Sequence, residues 1–276
     1  MTSSNEVPTP PEAIPKAPPE AVKPRFGRKL YLVIGLVAIA IIATASIVVF
    51  TQLLPGARGE PVPLGLNYSE GEKMTYEISM TAEVKAMGME EETSQEGTLE
   101  MEVLSFDGEN YTIHQTMTFD GQESSYTMKM NQMGYVFGLP PEIEEQFSSL
   151  LGVPGFGSYF TEEEIRVGEG WNIPFDIEFS GIDLEGTVSY KLSGITSITV
   201  DAGTYEALKI KVKTSGLSAT IEGMDFTMNI NGYVYLENAT CRLIKLRLDA
   251  SATMTGAGQS ASIVMTMQME LIEHLK

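Results

Sequence analysis

Two histidines, one cysteine and a methionine-rich set of alternating positions are the side chains in this sequence with types that could carry chemistry. Met265, Met267 and Met269 stand two apart, and thioethers favour a soft cation such as Cu(I). No histidine or cysteine lies in the ten residues before them, and the triplet continues a longer apolar alternation, so packing is the simpler use. His114 falls among threonines on the polar side of a strand pattern, and His274 lies near the C-terminus. Two isolated imidazoles make neither a metal site nor a catalytic triad. Cys241 is the single cysteine, so no intrachain disulfide can form. Its place in an expected strand reads as a small buried residue. No G-x-S-x-G elbow, Walker loop or H-E-x-x-H pair is present, and the many carboxylates single out no pair for glycoside chemistry. The residues imply no enzyme, no metal and no cofactor.

Methionine suggests a different use. Of the chain's 16 methionines, all but Met1 lie between positions 74 and 269. A flexible, polarizable thioether repacks around varied apolar shapes. Met101, Met128, Met130, Met265 and Met267, with Tyr126 and Trp171, are therefore the expected contacts for an apolar ligand. The plainer role for the same residues is an ordinary core.

The elements that must position them are strands. From Met74 onward the hydrophobic period is two. Met74, Tyr76, Ile78, Met80, Ala82 and Val84 alternate with polar residues, as do Leu99, Met101 and Val103. Further runs fall at Tyr111, Ile113, Met117 and Phe119, and at Tyr126, Met128 and Met130. Leu208, Ile210 and Val212 interleave with three lysines, and Ile244, Leu246 and Leu248 with Lys245, Arg247 and Asp249. Ile263 to Leu271 closes the pattern. Short, turn-linked runs of this kind indicate antiparallel meanders. One short helix is expected, opened by Pro140-Pro141 and ended by Gly152. Ten or so one-sided strands carry more apolar surface than one helix can cover, at about 25 cal/mol per Å² left wet. The sheet must curl, pack on another sheet, or enclose something.

The remainder of the chain sets an address. Residues 30–50 are uncharged and apolar, long enough as a helix to cross ~30 Å of hydrocarbon. Lys23, Arg25, Arg28 and Lys29 precede them, which places residues 1–29 in the cytoplasm and residues 51–276 outside the cell membrane. A cleaved signal peptide is the rival use, with Ala43-Thr44-Ala45 as its small-x-small site. Seven of the 14 prolines lie before residue 25, so residues 1–29 read as an extended, disordered tail. Residues 51–69 read as a linker and residues 70–276 as the outer β domain. The tail holds five of the chain's 18 Lys/Arg and three of its 37 Asp/Glu, which leaves 13 against 34 beyond residue 50. Such a field disfavours nucleic acid and anionic headgroups as partners of the outer domain. Asn67, Asn110 and Asn238 open N-x-S/T sequons at strand edges or turns and are candidate glycosylation sites.

A weak duplication runs through the domain. Gly71-Glu72-Lys73-Met74 is echoed by Gly168-Glu169-Gly170-Trp171, and Gly97-Thr98-Leu99 by Gly186-Thr187-Val188. Two half-sheets, 70–137 and 168–276, are one way to read it; shared turn chemistry is the other. The stretch Gly168-Glu169-x-Trp171-x-Ile173-Pro174-Phe175, then Val200-Asp201-Ala202-Gly203-Thr204-Tyr205-Glu206-Ala207-Leu208-Lys209, resembles an extracytoplasmic β family related in fold to the bacterial lipoprotein carriers (LolA/LolB-like). Gly232-Tyr233-Val234-Tyr235-Leu236 and Leu243-Ile244-Lys245-Leu246 are similar to the later strands of that family. The resemblance implies a curved half-barrel able to hold acyl chains. A membrane anchor departs from that pattern and argues against shuttling.

The expectation is thus a mainly β protein: a curved antiparallel sheet, half-barrel or barrel-like, with one short helix, preceded by a single transmembrane helix. Its expected function is non-enzymatic binding of an apolar or lipid-like ligand outside the membrane. A structural or assembly role with an envelope protein partner is the alternative.

Overall fold

The computed structural model describes residues 61–86, 89–134, 136–139, 164–179, 182–221, 224–256 and 259–276. The expected tail, the apolar run 30–50 and the helix after Pro140 lie outside the described residues, none of which is helical.

Among the described residues eleven strands form one antiparallel sheet. In chain order they are β1 Lys73–Ala86, β2 Met89–Phe106, β3 Asn110–Phe119, β4 Gln122–Asn131, β5 Val136–Phe137, β6 Gly170–Phe179, β7 Ile182–Val200, β8 Gly203–Ile221, β9 Met224–Glu237, β10 Leu243–Gly256 and β11 Gln259–Leu275. In space the order is β5-β4-β3-β2-β1-β11-β10-β9-β8-β7-β6. The chain starts in the middle, meanders out to β5, restarts at the far edge and meanders back until β11 pairs with β1. That one pairing joins two local meanders into one sheet. The edges, β5 and β6, are not paired with each other, so the sheet is open.

Period-two sequence becomes one apolar face. Tyr76, Ile78 and Val84 of β1, Val103 of β2, Ile113 of β3, Leu246 and Leu248 of β10 and Leu271 of β11 are all buried in a common core. The sheet curls around this face. The backbone N–H of Ala202, in the β7–β8 turn, donates to the carbonyl of Leu271 on β11 at 3.4 Å. On a flat sheet three to four strand spacings, on the order of 14–19 Å, would separate them.

Residues 61–69, expected as part of the linker, are instead packed on the domain: Val62, Leu64 and Leu66 are buried. Val62 forms a bridge with Ile165, Leu66 N–H donates to Gln132 O, and Asn67 N–H donates to Thr240 O. The backbone of this segment therefore ties three separated turns to one end of the sheet. Pro61 and Pro63 do not prevent this, because both are exposed and the alternate residues face the core.

Candidate functional site

The inner face carries every side chain expected to touch a ligand, and register shows which ones meet. Trp171, Tyr190, Val212, Gly232, Leu248, Met267 and Met80 stand opposite one another on successive strands, one row spanning β6 to β1. A second row runs Tyr126, Gln115, Met101, Met74, His274. Met265 stands between Ala82 and Ala250, Met128 opposite Ile113 and Met130 opposite Tyr111. The set is thus spread over one continuous surface and not gathered at a point. Met128, Met130, Met265, Met267 and Trp171 are buried, while Met101 and Tyr126 are half-buried. Burial pushes the Tyr126 hydroxyl up to about 12.

Trp171 stacks on Tyr190, with ring centroids 5.4 Å apart and planes 15° apart. Its indole Nε1 is buried and has no hydrogen-bond partner among the described residues. An orphaned buried donor costs about 1–3 kcal/mol, so the position is expensive for packing alone. A cleft of about 170 Å³ opens on the polar, outer side of β1, β2, β3 and β11, lined by Lys73, Glu102, His114 and Glu273 with Met74 and Met101 at its floor. It is smaller than the ~300 Å³ at which ligand pockets begin, and Met101 alone of the expected contacts lines it.

Sequence reasoning missed the most polar feature of the interior. Arg242 has no exposed surface, and its guanidinium contacts the carboxylates of Glu72 and Glu237 and Nε2 of His274. The same Nε2 lies 3.0 Å from Glu72 Oε1. Unprotonated it accepts from Arg242; protonated it donates to Glu72. Burial, then the Arg242 charge, hold His274 below its ordinary range, against the opposing pull of Glu72. Burial alone would raise the Glu237 carboxyl, but bonds from Thr240 and Arg242 hold it low. Tyr76 donates to Leu243 O at 3.1 Å above this cluster, and burial drives its hydroxyl well up. A lone arginine directly before a strand offers no sequence signal of this kind; the β9–β10 turn supplies Glu237, and the β1–β11 pairing brings Glu72 and His274 together.

The Gly-Glu echo has matching geometry. Glu72 Oε2 accepts from Ser69 N–H at 2.7 Å, and Glu169 Oε2 from Arg166 N–H at 2.7 Å. Gly71 and Gly168 take φ of 81° and 97°, and donate to Val103 O and Leu192 O. Each carboxylate caps the turn that opens a meander, one place before the strand's first residue.

Cys241 departs from expectation. It lies in the turn before β10, not in a strand, with φ of 53°, buried with its thiol toward Pro63 O at 3.9 Å. Burial raises the thiol. His114 Nδ1 lies 3.3 Å from Thr127 Oγ1. No group of three or more His, Cys, Asp or Glu side chains with metal-holding placement occurs among the described residues. Of the sequon residues, Asn67 is exposed, whereas Asn238 Nδ2, the atom a glycan would use, donates to Glu206 Oε2 at 2.8 Å. Asn110 opens β3, its N–H bonded to Asp107 Oδ1 at 2.8 Å.

No family model and no curated protein sequence matches the chain. Among solved structures it is similar to a protein described as exported, with a YmcC-like fold, from Bacteroides fragilis. The identity is 9% and the TM-score 0.30, over 78% of this chain and all of the other. An overlay that loose carries nothing from one chain to the other.

Proposed function

We propose that the chain is a single-pass membrane protein whose outer β domain holds an apolar, lipid-like molecule against the inner face of its sheet, without catalysing a reaction. The observation that supports this most is an apolar face continuous through an open sheet. In a closed barrel, widening the interior breaks ladder hydrogen bonds. Here β5 and β6 are not paired with each other, so the curl can relax with the strand ladders intact, at the cost of contacts across it such as Ala202 to Leu271. Methionines on that face repack as it does. The orphaned Trp171 Nε1 offers one polar anchor for a carbonyl or carboxyl oxygen. Delipidated full-length chain is expected to bind a fluorescent fatty acid saturably, and to copurify with lipid before delipidation. Failure of both removes the reading.

An assembly role in the envelope is the second reading, and the tight burial of Met128, Met130, Met265 and Met267 favours it. It predicts one stoichiometric protein partner from detergent extracts and no fatty-acid binding. Placement of the anchor rests on residues 30–50 and their basic flank; a reporter fused at the C-terminus is expected outside the cytoplasm.

A further inference from the structure

The outer face carries one basic block, although the chain as a whole has a net charge of −19. Register sets its side chains in adjoining rows. One reads Lys209, Tyr235, Lys245 across β8, β9 and β10, and the next Lys191, Lys211, Tyr233, Arg247 across β7 to β10. Lys213 continues the block along β8, opposite Asn231. Lys245 and Arg247 pair with Glu270 and Asp249, whereas Lys191, Lys209, Lys211 and Lys213 have no ion pair among the described residues. Lys191 stands directly opposite Lys211, a like-charge placement that destabilises a sheet unless an outside anion neutralises it. Acidic residues farther off than a Debye length of about 8 Å are screened from the block at physiological salt. That screening lifts, at this one place, the repulsion expected between the domain and anionic headgroups.

Shape limits what can cover the block. The β7–β8 turn reaches β11 across the inner face through Ala202 and Leu271, so β9 and β10, which lie between, form a crest on the convex side. The crest carries Tyr233 and Tyr235, half-buried, with ring centroids 6.5 Å apart. Lys209 Nζ lies 4.3 Å from the centre of the Tyr233 ring. A crest meets a flat surface only along its length, and the long lysine stems of β8 reach down beside it. Amphipathic tyrosine rings flanked by cations suit a headgroup layer, with the rings at the interface and the ammonium groups on phosphates.

The tether leaves the sheet at the same end. Asn67 N–H, in the segment that packs on the domain, donates to the carbonyl of Thr240 in the β9–β10 turn. Tyr235 and Lys245 stand two places from that end of β9 and of β10. Residues 51–60 join the segment to the apolar run 30–50 and span at most about 36 Å when fully extended. The crest is therefore within reach of a bilayer that holds residues 30–50. We infer that the outer face of β8–β10 docks on the anionic headgroups of the membrane that anchors the chain. The docking rests on the single-pass anchor proposed above and is independent of what the inner face holds.

Quenching by lipid tests it. Cys241 is buried, so a fluorescent maleimide goes to an introduced exposed thiol. Asn231→Cys puts the label on β9 between Lys213 and Asp249, and Thr81→Cys puts it on the outer face of β1, three strands away. Full-length chain is reconstituted into nanodiscs that carry a nitroxide on a fraction of the headgroups. In phosphatidylglycerol the label at 231 is expected to be quenched and the label at 81 not. In phosphatidylcholine, or at about 0.5 M salt, the difference should vanish. Lys209→Gln/Lys211→Gln should lower the ratio of docked to free domain about tenfold or more, with unchanged circular dichroism. Equal quenching at the two positions overturns docking, as do quenching that persists in phosphatidylcholine and a variant quenched like wild type. So does an unquenched label at 231 on chain that retains soluble polyglutamate, which assigns the lysines to an acidic protein partner. Chain that does not float with phosphatidylcholine liposomes removes the anchor and the docking with it. Chain that floats and stays unquenched removes the docking alone.

Discussion

Arg242 and Glu72 meet as a buried ion pair across 170 residues of sequence. Glu72 caps the turn that opens the first meander, and Arg242 closes the last turn before β10. Their contact sits at the seam where β11 joins β1, so it bridges the two meanders beside their one shared ladder. Removing one partner strands the other charge out of water. Arg242→Ala is expected to cost about 3–5 kcal/mol in a denaturant titration, because Glu72 and Glu237 are left facing each other unpaired. Glu72→Leu combined with Arg242→Met should recover much of that loss, since an apolar replacement of the pair carries no desolvation penalty. A double variant as weak as the single one would show that Glu237, not Glu72, governs the arginine.

His274 makes this seam acid-sensitive. Its folded pKa lies below the ordinary 6.5, from burial and from Arg242. A depressed pKa means that the unfolded chain binds the proton first. The contribution is therefore fully present above pH ~6.5 and is lost as pH falls below it. Glu237, also held low, adds a second loss below its ordinary 4.5. Denaturation midpoints should fall in two steps on acidification. In His274→Gln the upper step should vanish while the lower one remains. An unchanged upper step would place that titration elsewhere.

Gly232 sits in the middle of the Trp171–Met267 row for a steric reason. A Cβ there would lie 2.0 Å from Arg247 O and 2.8 Å from Leu248 Cδ2. The carbonyl belongs to the β10 ladder and cannot yield. Gly232→Ala should destabilise by about 3 kcal/mol or more, the upper end of overpacking costs. Gly194, at a register shift in β7, meets nothing within 4 Å. Gly194→Ala should be neutral or stabilising by up to about 1 kcal/mol, through the unfolded chain. Thermal melts of the two variants give the comparison directly.

How much of this was readable beforehand follows from contact range. Strands such as β1 and β3 were visible in their alternation, because period two is a local property. The β1–β11 pairing was not, since nothing near Met80 names Met267 as its neighbour. The buried Arg242 cluster follows from that pairing and was hidden with it. Residues 62–66 were hidden differently: their prolines and glycines gave a spacer signature, while Val62, Leu64 and Leu66 supplied too short an alternation to outweigh it. Alternation says only which face a residue takes, not that Trp171 and Met267 would share one row. Outer-face lysines 209, 211 and 213 were seen as the polar side of a strand. Their clustering with Lys191 needed the β7–β8 register.

The two ends of the Trp171–Met267 row separate packing from binding. Met267 is 3% exposed, so Met267→Ala should cost about 2–5 kcal/mol and Met267→Leu less than about 1.5, whatever the domain holds. Trp171→Phe differs, because it deletes an unsatisfied donor along with apolar area. The lost contacts and the relieved Nε1 offset each other to within about 1 kcal/mol in stability. If that N–H serves a bound carboxyl, Trp171→Phe should weaken a fatty-acid probe about tenfold, the ~1.4 kcal/mol of one hydrogen bond. A hydrocarbon probe without oxygen should bind the variant as it binds wild type. Equal losses for both probes would make Trp171 a wall of the core and remove the polar anchor from the binding reading.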